Sequence, residues 1–200
     1  MIRGILTPNP HSFLILLYDP MVKVIGSFLF LLKIKIKRKS INMNYYKNFE
    51  DIPAEDLLLL ELDPDAARKE WCLSLNLKEC EQSFIPLWIN RDEIIFLSER
   101  LITRHIFDLR SNDYETSEIK TWIEKEFGTN FFLLSIEEAK RIPKDILKSN
   151  FFWWLKTPAF PDDEFVYLVD YKGVEWDGKG LCYQKWGVRL ACKFKIPFDK

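Results

Sequence analysis

Apolar and polar positions alternate where Leu73, Leu75 and Leu77 are separated by Ser74 and Asn76, and a period of two predicts a strand with one buried face. Residues 84–89 and 93–97 are denser apolar runs, and the turn formers Asn90, Arg91 and Asp92 between them predict a hairpin. Further on the period lengthens. Ile119, Trp122, Ile123 and Phe127 share one face of a helix that Thr116 or Ser117 caps and Gly128 closes, and this face should dock on a sheet. Ser135-Ile136-Glu137-Glu138 reads as a capping box, opening a second short helix that ends near Pro143. Upstream, Asp63-Pro64 starts a short helix through Trp71, with Asp63 as cap and Pro64 at the first helical position. The apolar run at residues 57–60 is too short for periodicity to classify. From Phe151 onward strand segments recur with turns at Lys172-Gly173, Asp177-Gly178 and Trp186-Gly187, which predicts an antiparallel meander.

These elements fit an α+β chain. With 200 residues, 48% hydrophobic and 15% aromatic, it has enough apolar material for one core and about the length of one domain. The expected organisation is an N-terminal extension (1–42), a helix–strand lead-in (43–83) and a main domain (84–200). Charge separates the first part from the rest. The formal net charge is -1, from 29 basic and 30 acidic residues; residues 1–42 hold seven basic and one acidic, leaving 22 and 29, a net of -7, for 43–200. An acidic domain lacks the footprint of phosphate-backbone binding, so no nucleic-acid partner is expected.

Residues 13–32 are long enough to cross a bilayer but are interrupted by Asp19, Pro20 and Lys23. Fourteen strongly apolar residues gain about 7 kcal/mol while a central Asp and Lys cost roughly 5 to 7 kcal/mol, so insertion is nearly balanced. Lys33, Lys35, Lys37, Arg38 and Lys39 follow the run, the reverse of a secretory signal. Three readings stand: a membrane anchor through residues 13–32, which by the positive-inside tendency leaves the C-terminal domain in the cytoplasm; AT-rich upstream sequence with Met43 as the start; or a disordered or loosely packed tail. The four cysteines need no disulfide framework in a chain this rich in core formers, and reduced thiols fit a cytoplasmic location.

The order of local motifs is itself informative. After an aliphatic strand ending in Ser98 come Asn112-Asp113-Tyr114-Glu115-Thr116-Ser117-Glu118-Ile119-Lys120-Thr121-Trp122-Ile123, then Phe132-Leu133-Leu134-Ser135-Ile136-Glu137-Glu138-Ala139, then Trp153-Trp154-Leu155-Lys156-Thr157-Pro158, and finally Gly187-Val188-Arg189-Leu190-Ala191. Over roughly residues 84–196 this succession resembles a family of uncharacterised bacterial domains with W-L-R-S-P and G-V-R-P-A signatures. That family is similar in its last strands to formylglycine-generating (sulfatase-modifying-factor) enzymes and to variable ligand-binding proteins with a C-type-lectin-like fold. The resemblance implies a C-type-lectin-like domain over 84–200, with two short helices, a twisted antiparallel sheet and irregular loops. Lys156 and Leu190 depart from the family's arginine and proline, and a lysine cannot reproduce the bidentate arginine fork.

Candidate chemistry is sparse. His105 is the one histidine after residue 42, with no nucleophile or ligand partner near it in sequence, and no phosphate-cradling glycine loop is present. Cys182 and Cys192 are equidistant from Gly187 and so candidates to face each other across a hairpin, as buried free thiols, as a disulfide, or as a soft-metal pair like the C-terminal cysteine pair that the resemblance to formylglycine-generating oxidases implies. Asp162 lies in an acidic run after Phe160, in the loop where C-type lectins build their site, but lectin calcium motifs are missing and no cofactor is expected. Trp153 and Trp154 point to opposite faces of a strand, so at most one is naturally core and the other must find cover elsewhere. Trp154, Phe160, Asp162, Trp176, Tyr183 and Trp186 are the candidate ligand-binding residues, since exposed aromatics suit sugar stacking or a protein partner. Arg189 is expected to tie the last strand to a neighbouring loop. The resulting expectation is a non-enzymatic module binding a protein or glycan; a structural subunit anchored by its N-terminus is a further alternative.

Overall fold

The computed structural model describes residues 43–78, 80–160, 164–173 and 178–196. A short strand, β1 (Asn44–Tyr46), leads through a 3-10 turn (Phe49–Asp51) into helices α1 (Ala54–Leu62) and α2 (Pro64–Glu70). Residues 57–60, unclassified by periodicity, belong to α1. All four leucines are buried, so the helix is enclosed on most sides and shows no narrow stripe. Asp63 caps α2 as expected, accepting from the Ala66 N–H at 3.0 Å.

The alternating leucines lie on β2 (Trp71–Leu77), which pairs with β3 (Cys80–Asn90); β3 turns into β4 (Glu93–Ser98) through Arg91, whose φ is 56°. Pro86 interrupts β3, because it has no N–H to give the ladder, and the register shifts between Pro86 and Trp88. Arg68 of α2 meets the displaced carbonyls there, its Nε donating to Pro86 O at 3.2 Å and Nη2 to Leu87 O at 2.9 Å. The boundary placed between residues 83 and 84 therefore falls inside β3. Lead-in and main domain share one core: Leu59, Leu60 and Ala67 pack in the same cluster as Phe84, Phe96 and Trp154.

After β5 (Thr103–His105) comes α3 (Glu118–Phe127), capped by Ser117 and closed by Gly128 at φ 103°, where a Cβ would be strained. Its Trp122 stacks on His105 of β5, 4.7 Å between ring centroids. β6 (Phe131–Phe132) precedes α4 (Ile136–Ala139), where both hydrogen bonds of the capping box are made, and a further one-turn helix, α5 (Lys144–Leu147). β7 (Trp153–Pro158), β8 (Phe165–Val169) and β9 (Gly178–Leu181) form the expected meander, followed by β10 (Trp186–Val188) and β11 (Ala191–Lys195).

The architecture is α+β, but its strands make two mixed sheets rather than one antiparallel sheet. A six-stranded sheet runs β1-β2-β3-β4-β11-β6 and a five-stranded one runs β5-β10-β7-β8-β9. The pairs β1–β2 and β7–β10 are parallel. Trp186-Gly187 is strand rather than turn: Gly187 lies beside Trp153 and Arg104, and a Cβ on it would come within 2.8 Å of Phe152 O and 2.9 Å of Leu101 Cδ2.

Both Trp153 and Trp154 are fully buried, each covered by a different cluster, which corrects the choice of Trp154 as a ligand-binding residue. β7 sits in the middle of its sheet with both faces covered. Trp154 enters the cluster with Phe107 and Phe96, while Trp153 and Leu155 enter a second cluster with Leu97, Leu134 and Leu147. Each indole finds an acceptor, Leu147 O at 3.2 Å for Trp153 and His105 O at 2.8 Å for Trp154.

Candidate functional site

The chain leaves β4 at Ser98, a fully buried serine that shapes the next corner. Its N–H donates to Leu190 O at 2.8 Å, its hydroxyl accepts from Leu190 N at 3.0 Å, and the same hydroxyl donates to Arg100 O at 2.9 Å. Residues 99–104 thereby form one wall of a groove. The opposite wall is the end of α5 and the turn at 149–151, closed when Phe151 N–H donates to Ser149 Oγ at 3.2 Å and that hydroxyl donates to Phe151 O.

Arg189 joins the two walls from below. It is fully buried between β10 and β11; its Nε and Nη2 donate to Ser98 O at 2.9 and 2.6 Å, and Nη1 donates to Ile146 O at 2.8 Å. Its guanidinium also lies 5.2 Å from the centre of the Trp153 ring. Burial pulls this guanidinium down to about 10, with the Glu99 carboxylate opposing the shift. An arginine held this way disperses its charge over carbonyl dipoles and a ring face. This is the tie expected of the Gly187-Val188-Arg189 sequence: Gly187 allows the close approach to Phe152, Val188 enters the core, and Arg189 bridges to the 98–100 corner.

The groove between these walls has a volume of about 530 Å³ and is lined by Arg100, Leu101, Arg104, Asn150 and Phe151 among others. Glu99 and Arg100 also line a second hollow of about 480 Å³, beside Tyr45 and Glu81. The Arg104 guanidinium rests 3.7 Å from the centre of the Phe151 ring. Among the described residues neither Arg100 nor Arg104 pairs with a carboxylate, in contrast to Lys120, Lys140, Lys156 and Lys193. Phe151 continues into a run of ring contacts: Trp186 at 5.6 Å, then Phe152 at 5.6 Å from Trp186, then the exposed Tyr171 at 5.9 Å.

The residues singled out from the sequence divide among several places. Trp154 is in the core and presents no face to a ligand, because β7 is covered on both sides. Trp186 is half-buried beside the groove, lying over Gly180, with its Nε1 buried and without an acceptor among the described residues. Phe160 and Tyr183 are exposed, at 76% and 48%, on loops that also carry the exposed Leu109. Those loops are laced together where Cys182 N–H donates to Glu164 O at 2.8 Å and Cys182 O accepts from Phe107 and Asp108 N–H at 2.8 and 3.1 Å. Asp162 and Trp176 lie outside the described residues.

Cys182 and Cys192 do not face each other across a hairpin. Cys182 follows β9 in a turn, and Cys192 lies on β11 in the other sheet, because the chain after Gly187 crosses between sheets instead of turning back. Both are buried free thiols, and burial pushes both thiols up. No group of three or more metal-ligating side chains occurs among the described residues. His105 stacks on Trp122, and its Nδ1 lies 2.7 Å from Ile106 O, so the proton sits on Nδ1. Lys156 pairs with Glu138 Oε2 at 3.2 Å and lies over the Phe132 ring. No helix among the described residues is long and apolar enough to cross a membrane; residues 13–32 lie outside them.

Arg100, Arg104, Asn150 and Phe151 are not legible as a site in the sequence. Their only local signals are the Glu99-Arg100 pair directly after an apolar strand and the Ser149-Asn150 pair before Phe151, and neither shows that the two segments meet. Compared with known proteins, the chain matches no family model, no curated protein and no solved structure.

Proposed function

We propose that this chain is a non-enzymatic recognition module, with a C-type-lectin-like scaffold, that holds a segment of a partner protein in the groove between residues 99–104 and 149–151. One observation carries this reading: two walls distant in sequence are tied by a buried arginine, while the two arginines facing the groove have no carboxylate of their own among the described residues. Fixed walls with unmatched donors are what a recognition site needs, since a rigid site loses little entropy on binding. The oxidase alternative calls for both thiols at the floor of a cleft, and their burial on separate elements favours recognition instead. Free cysteines fit a cytoplasmic placement.

The exposed Leu109, Phe160 and Tyr183 favour a second contact on the neighbouring loops, where a sugar ring or an apolar side chain would stack. Peptide and glycan arrays probed with the full chain, with Arg104→Gln and with Tyr183→Ala separate the two. Loss with the first variant assigns binding to the groove, and loss with the second assigns it to the loops. Unchanged array binding by both variants overturns the proposal. For an anchored subunit, expression from Met1 and from Met43 with membrane fractionation is decisive: equal soluble partition of both forms removes that alternative.

A further inference from the structure

Resting on this groove reading, we infer that the groove's ligand is an acidic, extended peptide segment whose carboxylates pair with Arg104 and Arg100. Arg104 is prepared for this. Seated 3.7 Å over the Phe151 ring, its guanidinium sets its face on the ring and keeps its in-plane N–H fork for a planar acceptor, the geometry a carboxylate supplies. The stacking also removes part of the rotamer freedom that a free arginine would lose on binding. Arg100 is exposed, lines both hollows and has no carboxylate partner among the described residues, and the exposed Asn150 adds a neutral donor on the facing wall.

The chemistry narrows further. Leu101 and Phe151 supply apolar surface between the donors, which suits side chains on a peptide better than a compact anion. Glu99, which lines both hollows, and Glu81 in the second repel any anion, so the ligand's carboxylates are confined to the end that holds Arg104 and Arg100. Two hollows that share Glu99 and Arg100 in their linings leave room for several residues of an extended chain.

The test uses fluorescein-labelled hexaglutamate, hexaglutamine and hexalysine peptides titrated with the full chain by fluorescence anisotropy near physiological salt. Lys33, Lys35, Lys37, Arg38 and Lys39 also attract an acidic probe, so the readout is the difference between wild type and the double variant Arg100→Gln/Arg104→Gln. Loss of both arginines is expected to weaken hexaglutamate binding about tenfold or more, with Arg110→Gln, an exposed arginine on another loop, leaving it unchanged. Equal hexaglutamate binding by wild type and the double variant overturns the inference. Hydrogen exchange with each peptide and with a neutral oligosaccharide distinguishes failure of the acidic ligand from failure of the groove. Protection of 99–104 and 149–151 by hexalysine or the oligosaccharide, but not by hexaglutamate, overturns the acidic ligand and leaves the groove. No protection there by any probe overturns both.

Discussion

The half of the molecule built on β2, β3 and β4 and the half built on β5, β7 and β10 are assembled by opposite means. The first is two successive hairpins, with pairs such as Leu73↔Phe84 and Ile89↔Ile94 closed by short connections, and its strands reach eleven residues. In the second, β5 and β10 are three residues long and pair across some eighty residues of chain, as in Gly187↔Arg104. Local pairing limits loop length, so the first half carries few side chains outside its ladders. Distant pairing leaves long connections on the surface, and there the groove and the exposed aromatics lie. The distant pairs need a fastener that the hairpins do not, and Arg189 is that fastener.

If so, removing Arg189 should hurt most. Arg189→Leu strands Ser98 O and Ile146 O in the core and is expected to cost about 3–5 kcal/mol in chemical denaturation. Arg189→Lys should restore only part, because an ammonium cannot span both carbonyls with a planar fork. A loss below about 1 kcal/mol for the leucine variant would mean that the hairpin half holds the walls unaided. Gly187→Ala comes next. With Phe152 O only 2.8 Å from the added carbon, and backbone unable to yield as a side chain would, about 1–3 kcal/mol should be lost, with exchange accelerated at 149–153 rather than in β2–β4. Ser135→Ala removes the capping-box acceptor of α4 and should cost about 1 kcal/mol by the same assay.

The last effect is a pH slope, and it reports on the hairpin half. Burial, with Glu99 adding to it, pushes the Cys72 thiol of β2 up to about 11, and burial pushes Tyr114 up to about 12. Above pH 9 the unfolded chain releases thiol protons that the folded chain keeps, so the unfolded state binds fewer protons and stability falls as pH rises. The Cys72 contribution is complete below pH 9 and is lost by about pH 11. Cys72→Ala should flatten the stability curve between those values; an unchanged slope would place the alkaline transition elsewhere, with Cys192 as the next candidate.

Local elements are legible in the sequence because their determinants are local. Ser117 and Gly128 bound α3, Ser135 and Glu138 close a box on themselves, and the Asn90, Arg91 and Asp92 turn joins its own neighbours. The departures share one cause. Periodicity puts Trp154 within reach of a ligand because a strand has two faces, and a period of two does not say how many are covered. Trp186-Gly187 reads as a turn because glycine permits one, whereas here glycine is needed for a close approach of backbone. The cysteine hairpin falls with that turn. Of the groove, only the structural role of Arg189 is foreshadowed by the sequence; Arg104 and Phe151 meet through β10, which lies far from both along the chain.

By itself, then, the amino-acid sequence determined an α+β chain with capped helices, a hairpin and a meander, from local patterns and turn signals, and an acidic balance over residues 43–200 from composition. Tertiary structure alone decided that the strands divide into two mixed sheets, that both Trp153 and Trp154 are core, and that two arginines face a groove without carboxylate partners among the described residues. Each of those depends on which surfaces meet across the fold. Contact between segments fifty to ninety residues apart is set by the whole core at once, and no local window of sequence contains it.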